Sequence, residues 1–154
     1  MTTIYTIGHG SRGWEEFCNL LRRWQIQLLI DIRRWPTSKT EWFRQQVLER
    51  RLMDSGIHYL WLGETLGGFR KGGYPNHMRT EEFSRGYAEL LLRASRAPSA
   101  LMCLEISPRG CHRRHISSHL AAEGWTVIHI ISEARAQPHH ELFSEGERPW
   151  PGAA

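Results

Sequence analysis

Leu101-Met102-Cys103-Leu104-Glu105 runs through Ile106-Ser107-Pro108-Arg109-Gly110 into Cys111-His112-Arg113, and this stretch decides the fold. An apolar run, a short loop bearing Pro and Gly, and a cation-rich segment read as strand, loop and helix start. A thiol in the first turn of a helix meets unpaired backbone N–H groups and the positive end of the macrodipole, and both favour the thiolate. Arg113 and Arg114 push the same way. The same geometry is an anion site. The segment therefore suits a reactive sulfur, a bound phosphate or carboxylate, or both. A plainer reading stands beside these, with Cys111 a small half-buried filler and the arginines a solvated face.

Working outward, the chain alternates strand and helix patterns. Thr3 to Ile7 is β-branched and aromatic and stops at Gly8-His9-Gly10-Ser11, as a first strand does. Trp14, Phe17, Cys18, Leu21 and Trp24 recur at helical spacing over Gly13 to Trp24. Leu28 to Ile32 is a second strand, apolar enough to be covered on both faces. Ser38 and Glu41 have capping-box spacing for a helix running to Gly56, the C′ glycine. Ile57 to Leu62 is the third strand, and Gly63 to Arg79, rich in glycine, is a long surface loop. Thr80 caps the next helix, Ala100 to Glu105 is the fourth strand, the Cys111 helix ends at Gly124, and Thr126 to Ile131 is the fifth strand. The expectation is an α/β fold: one domain over residues 1–131, a three-layer sandwich with a mostly parallel five-stranded sheet and helices on both faces. Residues 132–154, rich in His, Glu and Pro, read as a peripheral or disordered tail.

Composition narrows the class. With 154 residues, 40% hydrophobic and 23% charged, the chain is a globular domain with a full core rather than a disordered or fibrous one. Its apolar runs are too short to span a bilayer, and no basic, apolar leader precedes the first strand, so no membrane and a cytoplasmic location are expected. Three cysteines, Cys18, Cys103 and Cys111, fit reduced thiols better than a disulfide framework. The net charge of +4 favours acidic partners. Several of the seven tryptophans lie beside arginine, and Arg34, Trp35, Lys39, Trp42 and Arg44 together suit stacking on bases with phosphate contacts alongside.

In an open parallel sheet, ligands bind beyond the carboxyl ends of the strands. The topology sorts polar residues to that edge: His9 and Ser11 after strand one, Asp31 and Arg33 at the end of strand two, Gly67, Gly68 and Arg70 after strand three, and Glu105, Cys111, His112 and Arg113 after strand four. His9, Asp31 and Glu105 are candidate acids and bases, with His112 beside Cys111 as a further catalytic candidate and Cys111 as nucleophile. Ser11, Arg33, Gly67, Gly68, Arg70 and Arg113 are candidate substrate-binding residues. Each also has a structural reading: Asp31 as the partner of Arg33, His9 as a helix cap, the glycines as a turn. His129 in strand five reads as a satisfied core histidine.

Two patterns rank lower. Cys103 and Arg109 have the Cys-x5-Arg spacing of thiol phosphatases, but Glu105 inside that loop repels phosphate. His112, His115 and His119 have helical spacing for a metal. Histidines on a wet helix face are commoner, so no metal and no cofactor are expected.

These residues also resemble a family of uncharacterised proteins catalogued as domain-of-unknown-function 488. The resembling elements are Thr6-Ile7-Gly8-His9, with Gly10 where the family has serine; Asp31-Ile32-Arg33 followed by Pro36; Leu66-Gly67-Gly68-Phe69-Arg70; Cys103-Leu104-Glu105; Cys111-His112-Arg113; and Val127-Ile128-His129-Ile130. The resemblance spans nearly the whole chain to about Ile131 and implies a compact α/β fold with a polar cluster. The leading expectation is an enzyme or ligand binder whose partner is an anionic small molecule, nucleotide or nucleic acid held at the carboxyl edge. The alternative is a nucleic-acid-binding module without chemistry, built on the Arg/Trp surface.

Overall fold

The computed structural model describes residues 2–139. Strands β1 (Thr3–Gly8), β2 (Leu28–Asp31), β3 (His58–Trp61), β4 (Ser99–Cys103), β5 (Thr126–Ser132) and β6 (Arg135–Pro138) form one sheet in the order β3-β2-β4-β1-β5-β6. All neighbours are parallel except β5 and β6, which are antiparallel. Helices α1 (Trp14–Arg23), α2 (Gln45–Asp54), α3 (Gly63–Leu66), α4 (Tyr74–His77), α5 (Glu81–Ala94) and α6 (Arg113–Ala122) fill the connections.

Alternation along the strands divides the core between two faces. Leu29, Ala100, Met102 and Ile130 pack with Phe17, Leu21, Phe43, Leu48 and Leu52 from the side of α1 and α2. Ile4, Leu28, Ile30 and Leu101 pack with Phe83, Leu90, Ile116 and Leu120 from the side of α5 and α6. The result is the expected three-layer sandwich. No helix among the described residues is long and apolar enough to cross a membrane.

Local chemistry explains most boundaries. Thr80 Oγ1 accepts from the Phe83 N–H at 3.1 Å, capping α5. Gly56 and Gly124 end α2 and α6 with positive φ, a conformation glycine adopts without strain.

Three expectations are corrected. The Ser38–Glu41 segment makes only a 3-10 turn at Glu41–Phe43, because Arg44 is extended and α2 starts after it, while Ser38 Oγ accepts from the Thr40 N–H instead. The Gly63 to Arg79 loop contains two helical turns, α3 and α4. The sheet has six strands rather than five, because residues 135–138 of the expected tail pair with β5. The rest of that tail, from residue 140, lies outside the described residues.

The connection leaving β1 goes to β2 on one side, and the connection leaving β4 goes to β5 on the other. The first passes over β4 and the second over β1, so the two leave the carboxyl edge on opposite faces of the sheet, with α1 packed on one face and α6 on the other. Gly8 lets the two strand ends close up, since a methyl at this position would overlap the Glu105 carbonyl.

Candidate functional site

The loops beyond β1, β2, β3 and β4 enclose a cavity of about 870 Å³. His9, Ser11, Arg33, Gly68, Glu105, Cys111 and His112 line it, as do Arg34, Trp35 and Lys39. Asp31, Gly67, Arg70, Arg113, Trp42 and Arg44 are not on its wall.

Beneath the cavity lies a buried ion pair. The Asp31 carboxylate is fully buried and accepts four hydrogen bonds: from the Arg33 N–H at 3.1 Å, Arg33 Nε at 2.9 Å, Arg33 Nη2 at 2.7 Å and the Tyr59 hydroxyl at 2.6 Å. Arg33 Nη1 then donates to the Phe43 carbonyl at 2.7 Å, more weakly to the Thr37 carbonyl at 3.3 Å, and to His9 Nε2 at 3.4 Å. With its acceptors filled and no face on the cavity, Asp31 is a positioning residue rather than an acid or base. Arg33 reaches the wall with its donors already directed at protein, so its charge ties three loops together.

His9 is held neutral by this arrangement. Its Nδ1 donates to the Gly10 carbonyl at 2.9 Å, leaving Nε2 as the acceptor toward Arg33, and its ring stacks on Phe43 at 4.4 Å. Burial first, with the Arg33 charge adding, lowers its pKa to about 4.

Two arginines expected to hold an anion do structural work elsewhere. Arg70 donates to the carbonyls of Gly67 at 2.8 Å and Glu64 at 2.6 Å and pairs with Glu82 at 2.9 Å, bracing the loop after α3. The same brace engages the carbonyl of Gly67. Arg113 is fully buried; its Nη2 donates to the Ile106 carbonyl at 2.8 Å, and its Nε and Nη1 have no hydrogen-bond partner among the described residues. Burial, with the Arg12 charge adding, lowers its pKa to about 9. The physical reason is rotational: the Arg113 side chain, two residues past Cys111, lies in the core between helix and sheet.

The expectation that Cys111 lies in the first turn of a helix is corrected: it sits two residues ahead of α6 in an extended conformation, with His112 as the N-cap, because the 3-10 turn at Pro108–Gly110 ends there. Its Sγ accepts from the Arg113 N–H at 3.4 Å and lies 3.6 Å from His112 Nδ1. The His112 ring is oriented by its other nitrogen, since Nε2 donates to the Ile32 carbonyl at 3.2 Å. Burial, only partly offset by that carbonyl, lowers the His112 pKa to about 4. Neutral His112 therefore presents a lone pair at Nδ1 toward the sulfur, the relation of base to nucleophile. Gly68 packs against this ring, and a Cβ built there would stand 2.9 Å from His112 Nδ1. Cys103 and Cys111 are paired Sγ to Sγ, so the expectation of three reduced, separate thiols is corrected; Cys18, buried in α1, stands apart.

The mouth is aromatic and cationic. Trp35 is 58% and Phe69 82% exposed, and their rings lie 5.5 Å apart. Phe69 has φ of 58°, a left-handed conformation that strains a bulky residue. Arg34 holds it there by donating to the Phe69 carbonyl at 2.5 Å, while its guanidinium lies over the Trp35 ring. Lys39 is exposed on the same wall. Tyr74 and His115, stacked at 5.6 Å, line the deeper part. Of the wider Arg/Trp surface, the Trp42 indole N–H donates to the Arg12 carbonyl at 3.1 Å and Arg44 Nε to the Ser38 carbonyl at 3.1 Å, so both fasten loops.

Phe69 and Tyr74 are wall residues that sequence reasoning missed, and His115, weighed there only as a metal ligand, is a third. Phe69 carried one signal, a large apolar side chain directly after two glycines. The helical trio His112, His115 and His119 does not converge, and among the described residues no group of three or more His, Cys, Asp or Glu side chains is placed to hold a metal. His129 is the satisfied core histidine expected, with Nδ1 2.6 Å from Thr6 Oγ1.

Fold and site together define a parallel-sheet α/β protein with a cysteine–histidine pair at the floor of a carboxyl-edge cavity. The chain belongs to the family described as Domain of unknown function DUF488, whose sequence profile matches residues 13–120. No curated protein and no solved structure matches the chain.

Proposed function

We propose that this protein is a cytoplasmic enzyme acting on an anionic, ring-bearing ligand, a nucleotide either free or within a single strand. The carrying observation is the mouth: two exposed rings, Trp35 and Phe69, line the same cavity as Arg34, Lys39 and the Cys111–His112 pair. A base inserted against Trp35 and Phe69 gains stacking energy of about 1–3 kcal/mol, and its phosphate meets Lys39 and the Ser11 hydroxyl. In this reading the cations of the mouth take the anion-binding role first expected of Arg33, Arg70 and Arg113. Glu105 and His112 are the candidate proton carriers of this site, and Cys111 in its reduced state is the candidate nucleophile. The strand form of the ligand is favoured by exposure of both rings at the rim rather than inside the cavity.

The test is titration calorimetry of the reduced protein with a nucleoside, its monophosphate, inorganic phosphate and a short labelled oligonucleotide. Nucleotide binding tighter than either fragment, weakened at least tenfold in Trp35→Ala with Phe69→Ala and made less salt-dependent by Lys39→Ala, is expected. Equal, weak binding of phosphate and nucleotide, unchanged in these variants, refutes the reading.

A further inference from the structure

The cavity floor holds a second sulfur that the proposed chemistry leaves idle. Cys103, the last residue of β4, and Cys111, at the entry to α6, both line the cavity, and their Sγ atoms are in contact. Their surroundings differ. Cys111 Sγ receives the Arg113 N–H at 3.4 Å and faces the lone pair of His112 Nδ1 at 3.6 Å, so its thiolate is stabilised and its proton has an acceptor. Cys103 Sγ is directed instead at a carbonyl, that of Glu105 at 3.8 Å, toward which a thiol donates its hydrogen. One sulfur is therefore poised to attack, and the other remains a thiol within reach of it.

We infer that Cys111 is an oxidation site for hydroperoxides and that Cys103 is its resolving partner. His112 Nδ1 takes the Cys111 proton as the sulfur attacks the O–O bond of ROOH. The S–O bond forms, the O–O bond breaks, and the leaving RO⁻ collects that proton as ROH, leaving Cys111 as a sulfenic acid. The Cys103 sulfur then attacks Cys111; the S–S bond forms, the S–O bond breaks, and hydroxide departs with the Cys103 proton as water. Two thiols lose two electrons and the peroxide gains them. A low-molecular-weight thiol or dithiol returns the pair to its starting state. Oxidation removes the nucleophile from the cavity without altering the aromatic mouth, so peroxide silences chemistry while ligand binding persists. The inference does not rest on the nucleotide reading, because the peroxide needs only the two sulfurs and His112.

The experiment uses the full chain, reduced and freed of reductant, treated with one equivalent of hydrogen peroxide and quenched with an alkylating agent for mass spectrometry. Two thiols should vanish together at pH 7.5, with a 103–111 cross-linked peptide that a dithiol reverses, while Cys18 stays fully alkylated. In Cys103→Ser, dimedone should trap a sulfenic acid on Cys111. In Cys111→Ser, Cys103 and Cys18 should stay alkylatable. His112→Gln, checked for its fold by circular dichroism, should slow cross-linking at least tenfold. Oxidation of all three cysteines at one rate, or a dimedone adduct that does not fall on Cys111 in Cys103→Ser, overturns the assignment. Nucleotide calorimetry on the oxidised protein separates the two ideas, since binding failure there leaves the peroxide result standing.

Discussion

Replacing Asp31 with asparagine keeps the shape of the side chain and removes its charge. In the native protein that carboxylate is fully buried, receives three hydrogen bonds from Arg33 and one from Tyr59, and neutralises a guanidinium only 6% exposed. In Asp31→Asn an amide N–H₂ must face either Arg33 Nη2 or the Tyr59 hydroxyl, donor against donor, and Arg33 keeps a buried charge without its counter-ion. Breaking such a pair from one side costs about 3–5 kcal/mol, against a total stability of about 5–15 kcal/mol for a domain. The melting temperature should fall by about 10 °C. Removing both charges is a different perturbation: Asp31→Leu with Arg33→Met leaves no orphan ion and should lie within about 2 kcal/mol of the native protein. Urea denaturation followed by circular dichroism at pH 7.5 gives all the free energies needed for the cycle. If Asp31→Asn stays within about 1 kcal/mol of native stability yet abolishes ligand turnover, Asp31 is a chemical group and the structural role assigned to it is wrong.

Three further outcomes follow from other parts of the molecule. His9 and His129 are buried and neutral, with pKa values lowered to about 4 and about 2, chiefly by burial. Since the unfolded chain takes up those protons near pH 6.5, the stability tied to them is complete above that pH and drains away as pH falls below it. Between pH 7.5 and 5.5 each histidine should remove about 1.3 kcal/mol, with His9→Gln flattening the dependence; a flat stability profile in urea refutes this. Gly68→Ala puts a methyl 2.9 Å from His112 Nδ1, so alkylation of reduced Cys111 at pH 7.5 should slow several-fold while Cys18 is unaffected; an unchanged Cys111 rate rules out His112 as its base. Arg113→Met replaces a buried guanidinium two of whose nitrogens lack partners among the described residues and should leave stability unchanged or raise it, whereas a loss above about 2 kcal/mol by thermal denaturation counts against that accounting.

The parts of the fold that were legible in the sequence are those governed by periodicity. Leu28 to Ile32 and Thr126 to Ile131 are apolar because both faces of their strands are covered, and the Phe17–Leu21 spacing follows one helix face. The sixth strand, Arg135-Ala136-Gln137-Pro138, carries no such pattern; its backbone pairing to β5 makes it a strand. Helices α3 and α4 have four residues each, too few for a period to show. At the site, strand ends predict which residues arrive at the carboxyl edge, hence His9, Arg33, Glu105, Cys111 and His112. They do not predict rotation about a helix or the reach of a long side chain, which is why Arg113 and Arg70 turn out to be internal fastenings. The contact of Cys103 with Cys111 depends on how the 104–110 loop folds back, and spacing alone is silent on that.

The position of β1 carries a kinetic consequence. Although it precedes every other strand of the sheet in the chain, it lies in the interior of the sheet, its Tyr5 opposite Ala100 on one side and Ile128 on the other. Neither partner exists until most of the chain has been made, so Ile4 and Ile7 must wait unpaired throughout synthesis. Closing contacts so far apart in sequence is slow, and waiting apolar strands are the species that aggregate or recruit chaperones. Nascent chains arrested before Thr126 should accordingly be cut by protease around β1, and chains extending past β5 should acquire resistance there in one late step.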